Sequence, residues 1–318
     1  MTLALVGLGG CAMVPADRQL SEEEWTPATT ESLTTWMKTY DRTLAKAAQT
    51  SNPKPLGTVT GNVRLQSVAG EIRLADQGGP KPVPVAHQNP DFYLPAFDDY
   101  PLHGLAVSTD VESDRTVLDL LDRQGAGTDW RSLLSVRLDE GKDLPELRLD
   151  KDHPVEPDLN EAGNLRRSPA QLARAFGGLV AAATEDSPFA VFGSHQLVDE
   201  HIEQNAEYDA AQNSGLLTME HEPADTTVVR AFETTDDGAV VLAGLQEQVN
   251  LDIGGGEVGL PEDAARYVGD TVSAGSTVQL SYLWQVAFMV PPAASGAEAR
   301  PEILGVQRVL GGVEASAD

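Results

Sequence analysis

Hydrophobic positions alternate most regularly over 277–290, where Val278, Leu280, Tyr282, Trp284, Val286, Phe288 and Val290 take every second place. The intervening Thr277, Gln279, Ser281, Gln285 and Ala287 are mostly polar or small. Period two predicts a long strand with one buried face, and at about 3.3 Å per residue it crosses a whole domain. A one-residue slip would turn that row of large side chains to water, so its pairing is strongly specified. Pro291-Pro292 ends it.

Helical spacing dominates the start of the body. Leu33, Trp36, Met37, Tyr40 and Leu44 are three or four apart, which predicts a helix over 27–48 with Thr26 as N-cap and Pro27 at its first position. Val63, Val68, Ile72 and Leu74 support a second helix over 62–75. The proline- and glycine-rich 78–90 reads as loop. Short β-like runs follow at 92–95, 102–109, 115–121 and 130–138, the last two flanking a loose turn. A charged, proline-punctuated connector covers 145–157.

Then the order starts again. Ser168-Pro169-Ala170-Gln171 is a capping box, followed by the stripe Leu172, Phe176, Leu179, Val180 and Ala183. A further helix is expected over 196–211, and strands over 226–233, 239–251, 277–290 and 302–310. Helices then strands, twice over, predict an α+β fold of two similar domains, each with N-terminal helices packed on a curved antiparallel β-sheet. The boundaries are 27–150 for the first domain, 151–167 for a linker and 168–314 for the second. The repetition lies in element order more than in residue identity.

Composition narrows the function classes. With 41% hydrophobic and 22% charged residues among 318, the chain can build real cores. Its 49 acidic against 22 basic residues give a net charge of −27, which repels phosphate backbones and argues against a nucleic-acid partner. After Cys11 no apolar run approaches the roughly 18 residues of a transmembrane helix. A lone cysteine excludes an intrachain disulfide, so packing must supply cohesion.

That cysteine closes the run Leu3-Ala4-Leu5-Val6-Gly7-Leu8-Gly9-Gly10-Cys11. Leu8-Gly9-Gly10-Cys11 resembles the lipobox of bacterial lipoproteins. The resemblance implies cleavage before Cys11 and a lipid on its thiol, with 1–11 as a signal-peptide remnant and the acidic 12–26 as a spacer. No Lys or Arg precedes Arg18, which a start further upstream would explain.

The body also resembles known proteins. Helices followed by an antiparallel meander with one very long strand look like the cone-shaped fold of nuclear transport factor 2-like domains. Tyr40-Asp41-Arg42, Thr58-Val59-Thr60-Gly61, Phe92-Tyr93-Leu94-Pro95, Asp129-Trp130-Arg131 and Tyr282-Leu283-Trp284-Gln285 are similar to stretches of uncharacterised actinobacterial secreted lipoproteins. The resemblance runs from about Thr26 to Gly311 and implies an address and an architecture, with no catalytic residue to carry over.

Candidate chemistry is sparse. Gly193-Ser194-His195 lacks the Gly-x-Ser-x-Gly elbow and reads as a polar turn. His195, His201 and His221 with Asp199, Glu200, Glu203, Glu220 and Glu222 are the densest set of metal-ligand types. His195 and His201 are six apart, so on a helix they face different ways. Asp139 to Asp158 lacks a calcium-loop pattern. Gly254-Gly255-Gly256-Glu257-Val258-Gly259 has acids beside it where a phosphate site needs a cation, and reads as an insertion between strands. Asp98-Asp99 and Asp236-Asp237 are adjacent acids of the kind 49 carboxylates produce by chance, the second pair in a turn. Tyr282, Trp284 and Phe288 read as core, with a ligand cavity as the alternative.

The expectation is an exported lipoprotein, anchored through Cys11 to the outer face of the cytoplasmic membrane. Its body is expected to be a non-enzymatic module of the cell envelope that binds a protein or small ligand. No catalytic, metal or cofactor residue is assigned. The alternative is a small-molecule hydrolase or isomerase using a cone as its pocket, and a third reading is a cytosolic protein with an incidental cysteine. An enzyme's cone should hold an inward His or carboxylate beside a Tyr or Trp tip, whereas a binder's should be filled by apolar side chains.

Overall fold

A computed structural model of the protein describes residues 28–96, 100–182, 191–296 and 299–317. Cys11, Thr26, Pro27, Asp98, Asp99 and Ala183 lie outside them. The fold is α+β, with antiparallel sheets.

Helix α1 (Thr30–Thr50) starts three residues later than the expected first position, 27. Its cap is Thr29, whose Oγ1 accepts the Ser32 N–H at 3.1 Å while Ser32 Oγ accepts the Thr29 N–H at 3.1 Å. This reciprocal pair satisfies two end donors of the helix. Helix α2 (Asn62–Asp76) follows, then β1 (His87–Tyr93), β2 (Leu102–Asp110), β3 (Thr116–Arg123) and β4 (Arg131–Arg137), paired in that order. Strand β1 begins inside the stretch read as loop. The register shifts between Gln88 and Asp91, so Pro90 sits at a bulge, where the ladder does not need its missing N–H.

The connector carries a small hairpin of β5 (Leu149–Asp150) and β6 (His153–Pro154). Its backbone is stitched to a later strand: Arg148 N–H donates to Glu233 O at 2.8 Å and Glu233 N–H to Val155 O at 2.8 Å. Helix α3 (Pro169–Val180) opens on the expected Ser168–Gln171 capping box, and α4 (Gln196–Asn213) follows. Strands β7 (Leu217–His221), β8 (Asp225–Glu233) and β9 (Ala239–Ile253) come next. Then an excursion of β10 (Glu257–Gly259), α5 (Glu262–Val268) and β11 (Thr271–Ser273) leads to β12 (Ser276–Val290) and β13 (Glu302–Ala317).

The second sheet is ordered β13-β12-β9, and β7 and β8 share the far edge of β9 end to end. Strand β13 outruns its expected end because β12 stays paired as far as Ser276 opposite Ala317. Ser281 pairs with Gly312 and Tyr282 with Leu310, so Gly311 is absorbed as a bulge.

Three apolar clusters form among the described residues. One lies between α1, α2 and the first sheet, another between α3, α4 and the second sheet. The third joins the two sheets, bringing Leu118, Leu120 and Leu134 against Val240, Leu242 and Ala287. Strand β12 is therefore buried on both faces around its middle, where one polar face was expected. Gln285 is only 1% exposed there: its Oε1 accepts the Ser135 N–H at 2.9 Å and its Nε2 donates to Ser67 Oγ at 3.3 Å.

Two glycines permit the close approach. A Cβ at Gly70 of α2 would lie 2.8 Å from the Leu310 carbonyl oxygen, and one at Gly305 of β13 would lie 2.4 Å from that of Arg137. Without side chains at these points, α2 and β4 can lie against β13.

Candidate functional site

Glu247 sits mid-β9 on the face shared by Leu245, Val249 and Leu251, across from Tyr282 in the register. It is 0% exposed. Its Oε1 accepts His201 Nε2–H at 2.7 Å and His221 Nε2–H at 2.6 Å, and its Oε2 accepts the Trp284 indole N–H at 2.6 Å. Burial alone would push its pKa up, but the attraction of and hydrogen bonds from His201 and His221 outweigh that and hold it at about 2. Behind His201, Arg308 Nη1 donates to Nδ1 at 2.7 Å. The same guanidinium lies 5.0 Å above the Tyr282 ring and 5.9 Å from that of Trp284, within cation–π range.

The first half carries a parallel arrangement. Asp119, mid-β3 and 0% exposed, accepts Tyr40 Oη–H at 3.2 Å, Ser132 Oγ–H at 3.0 Å and His87 Nε2–H at 2.9 Å. His87 Nδ1 faces Asp41 at 2.6 Å. An imidazole between two carboxylates is a donor at both nitrogens. Burial disfavours its charge, yet Asp119 and Asp41 outweigh burial and raise its pKa to about 9. Arg64 Nε donates to Tyr40 Oη at 3.0 Å, and burial pushes that phenol's pKa up.

Arg64 and Arg308, one from each network, both line a single cavity of about 340 Å³ between α1, α2 and β13. Arg137 joins them, its Nη2 paired with Asp110 at 2.8 Å and its buried Nε without a partner among the described residues. Glu71 is the one carboxylate in the lining; burial raises its pKa against the pull of Arg64 and Arg137. The segment Pro82-Val83-Pro84-Val85 forms an apolar wall, and Val83 is 61% exposed at its outer edge.

The family described as "Domain of unknown function (DUF8094)" matches residues 26–313. The chain belongs to that family. No curated protein and no solved structure matches it.

In this DUF8094 chain His195, at the N-cap of α4, parts from the other two histidines of the sequence set. His195 Nε2 meets Asp139 Oδ2 at 2.8 Å, while His201 and His221 meet on Glu247. Ser194 Oγ donates to Asp199 Oδ2 at 2.7 Å. Among the described residues no group of His, Cys, Asp and Glu is arranged to hold a metal. Gly254 and Gly255 donate backbone N–H groups to Leu216 O and lead into β10, as an insertion should. Asp236 and Asp237 belong to the turn before β9, where Asp237 has φ of 66°. Trp284 is 0% exposed and meets Phe176 edge to face at 5.8 Å, within the expected core.

Glu247, Asp119, His87, Arg64 and Arg308 were not singled out in the sequence. Two of them left a readable trace. Glu247 falls in phase with Leu245, Val249 and Leu251, and Asp119 in phase with Val117 and Leu121, so each puts a carboxylate at an inward position.

Proposed function

We propose that the protein is an exported lipoprotein, tethered by a lipid on Cys11 to the outer face of the cytoplasmic membrane. Its body acts as a non-enzymatic module that takes a small ligand in the cavity between α1, α2 and β13. The halves 27–150 and 168–314 serve as paired domains, each resembling the cone of nuclear transport factor 2-like proteins. What supports this last resemblance is the order of helices before an antiparallel sheet in both halves.

The observation that carries the binding reading is the contrast between the two buried networks and the cavity. Both oxygens of Glu247 are occupied by donors and closed to solvent, and both nitrogens of His87 face carboxylates. Neither group has a free lone pair or proton beside a space where a reacting atom can sit, which general acid–base chemistry requires. The cavity has such space, with an apolar wall and guanidinium donors. Its volume falls in the range of about 300–1,000 Å³ typical of small-molecule sites.

The second reading, a hydrolase or isomerase, draws on one specific observation. The His201–Glu247 pair beside the Trp284 tip is the inward ionisable group that an enzyme's cone was expected to hold. Its complete closure favours a structural role for that pair.

The address rests on Leu8-Gly9-Gly10-Cys11. A single acyl chain binds membranes only marginally, so stable anchoring implies a second one. With a complete export signal supplied ahead of Leu3, Cys11→Ser should move the protein from the membrane fraction to the medium. Unchanged fractionation would remove the lipoprotein reading.

A further inference from the structure

The charge balance of the cavity is inverted relative to the chain. Overall the acids outnumber the bases 49 to 22, yet the lining holds three arginines and one carboxylate. Each arginine is fixed from behind by one bond: Arg64 through Nε to Tyr40, Arg137 through Nη2 to Asp110, and Arg308 through Nη1 to His201. A guanidinium carries five N–H donors in a rigid fork, so each one retains donors beyond its anchoring bond. Planar forks held in place by buried partners suit carboxylate or phosphate oxygens, and their ordering cost is met on folding.

The remaining lining is of the other kind. Leu44, Val68, Val306 and Val309 face the 82–85 wall across the same space. A ligand filling it needs a compact anionic head and an apolar body. We propose that this cavity binds an amphiphilic organic anion, its carboxylate or phosphate head on Arg64, Arg137 and Arg308 and its hydrocarbon body beneath Pro82-Val83-Pro84-Val85. This rests on the binding-module reading and names the ligand class for that site. Both networks then gain a purpose: Asp119 with Tyr40, and Glu247 with His201, hold two of the three arginines in the cavity wall.

The test is isothermal titration of the full chain with five probes: octanoate, octyl phosphate, octanol, octylammonium and inorganic phosphate. Octanoate or octyl phosphate should bind at least tenfold more tightly than octanol, octylammonium or inorganic phosphate. Which of the two anions is preferred distinguishes a fatty-acid-like ligand from a phosphate monoester. Arg308→Gln should weaken the preferred anion at least tenfold while leaving octanol unchanged. Arg137→Gln, which does not touch the Glu247 network, should do the same and serves if Arg308→Gln fails to fold. Octanol or octylammonium binding as tightly as the anions would overturn the anionic assignment and leave the binding module standing. Inorganic phosphate binding as tightly as octyl phosphate would overturn the apolar body. Failure of all five to bind would overturn the proposal outright.

Discussion

Arg308 Nη1 donates to His201 Nδ1 at 2.7 Å, and this fixes the imidazole proton on Nε2, facing Glu247. A guanidinium cannot accept a proton, so His201 Nδ1 must be the bare nitrogen. A residue on β13 thereby sets the tautomer of a residue on α4, which in turn supplies one of the three donors on a carboxylate of β9.

Glu247→Gln places an amide N–H₂ where three donors need acceptors. Leaving buried donors unpaired costs roughly 1–3 kcal/mol each, so a loss of about 3 kcal/mol or more is expected in urea denaturation. A variant as stable as the parent would show that the network is not holding the second half together.

Trp284→Ala removes the largest fully buried side chain among the described residues and the donor to Glu247 Oε2. Truncating a buried tryptophan typically costs about 3–5 kcal/mol, a large part of the usual margin of roughly 5–15. Chemical denaturation should show the loss. A nearly unchanged midpoint would contradict the packing against Phe176.

Stability should vary with pH on two limbs. His87 has its pKa raised to about 9 from 6.5, since Asp119 and Asp41 outweigh burial. The folded value exceeds the unfolded one, so its contribution is full below about 6.5 and is lost as pH rises through about 9. Glu247 is depressed from 4.5 to about 2, so its contribution is full above about 4.5 and is lost as pH falls toward 2. The melting temperature should therefore plateau between these limbs. His87→Gln should flatten the alkaline limb; an unaltered alkaline limb in that variant would show the imidazolium is not its source.

Much of the fold was legible in the residue pattern, because helical stripes and strand alternation are local. The Ser168 capping box, the strand at 276–290 and the core placement of Trp284 all follow from spacing alone. The second buried face of β12 was not legible. Gln285 looks like a solvent-facing residue until the other sheet, 150 residues away at Ser135, supplies its partner. The site was hidden for the same reason. Arg64 and Arg308 are ordinary charged residues in sequence, and the cavity exists only where α2 meets β13, an approach that Gly70 allows. His87 was obscured by the prolines around it, which suggested loop where β1 begins. Glu247 and Asp119 could have been found by asking which acids fall on inward strand positions.

Native mass spectrometry of the full chain, isolated from its native cells in mild detergent, tests the ligand-binding cavity most directly when the wild type is compared with Ala48→Trp. Ala48 lines the cavity from the end of α1, so an indole there fills the space without removing any charge. The wild type should carry an extra small-molecule mass that is lost on collisional activation, and Ala48→Trp should carry none. Two proteins with the same bound mass, or with none, would contradict a ligand site between α1, α2 and β13.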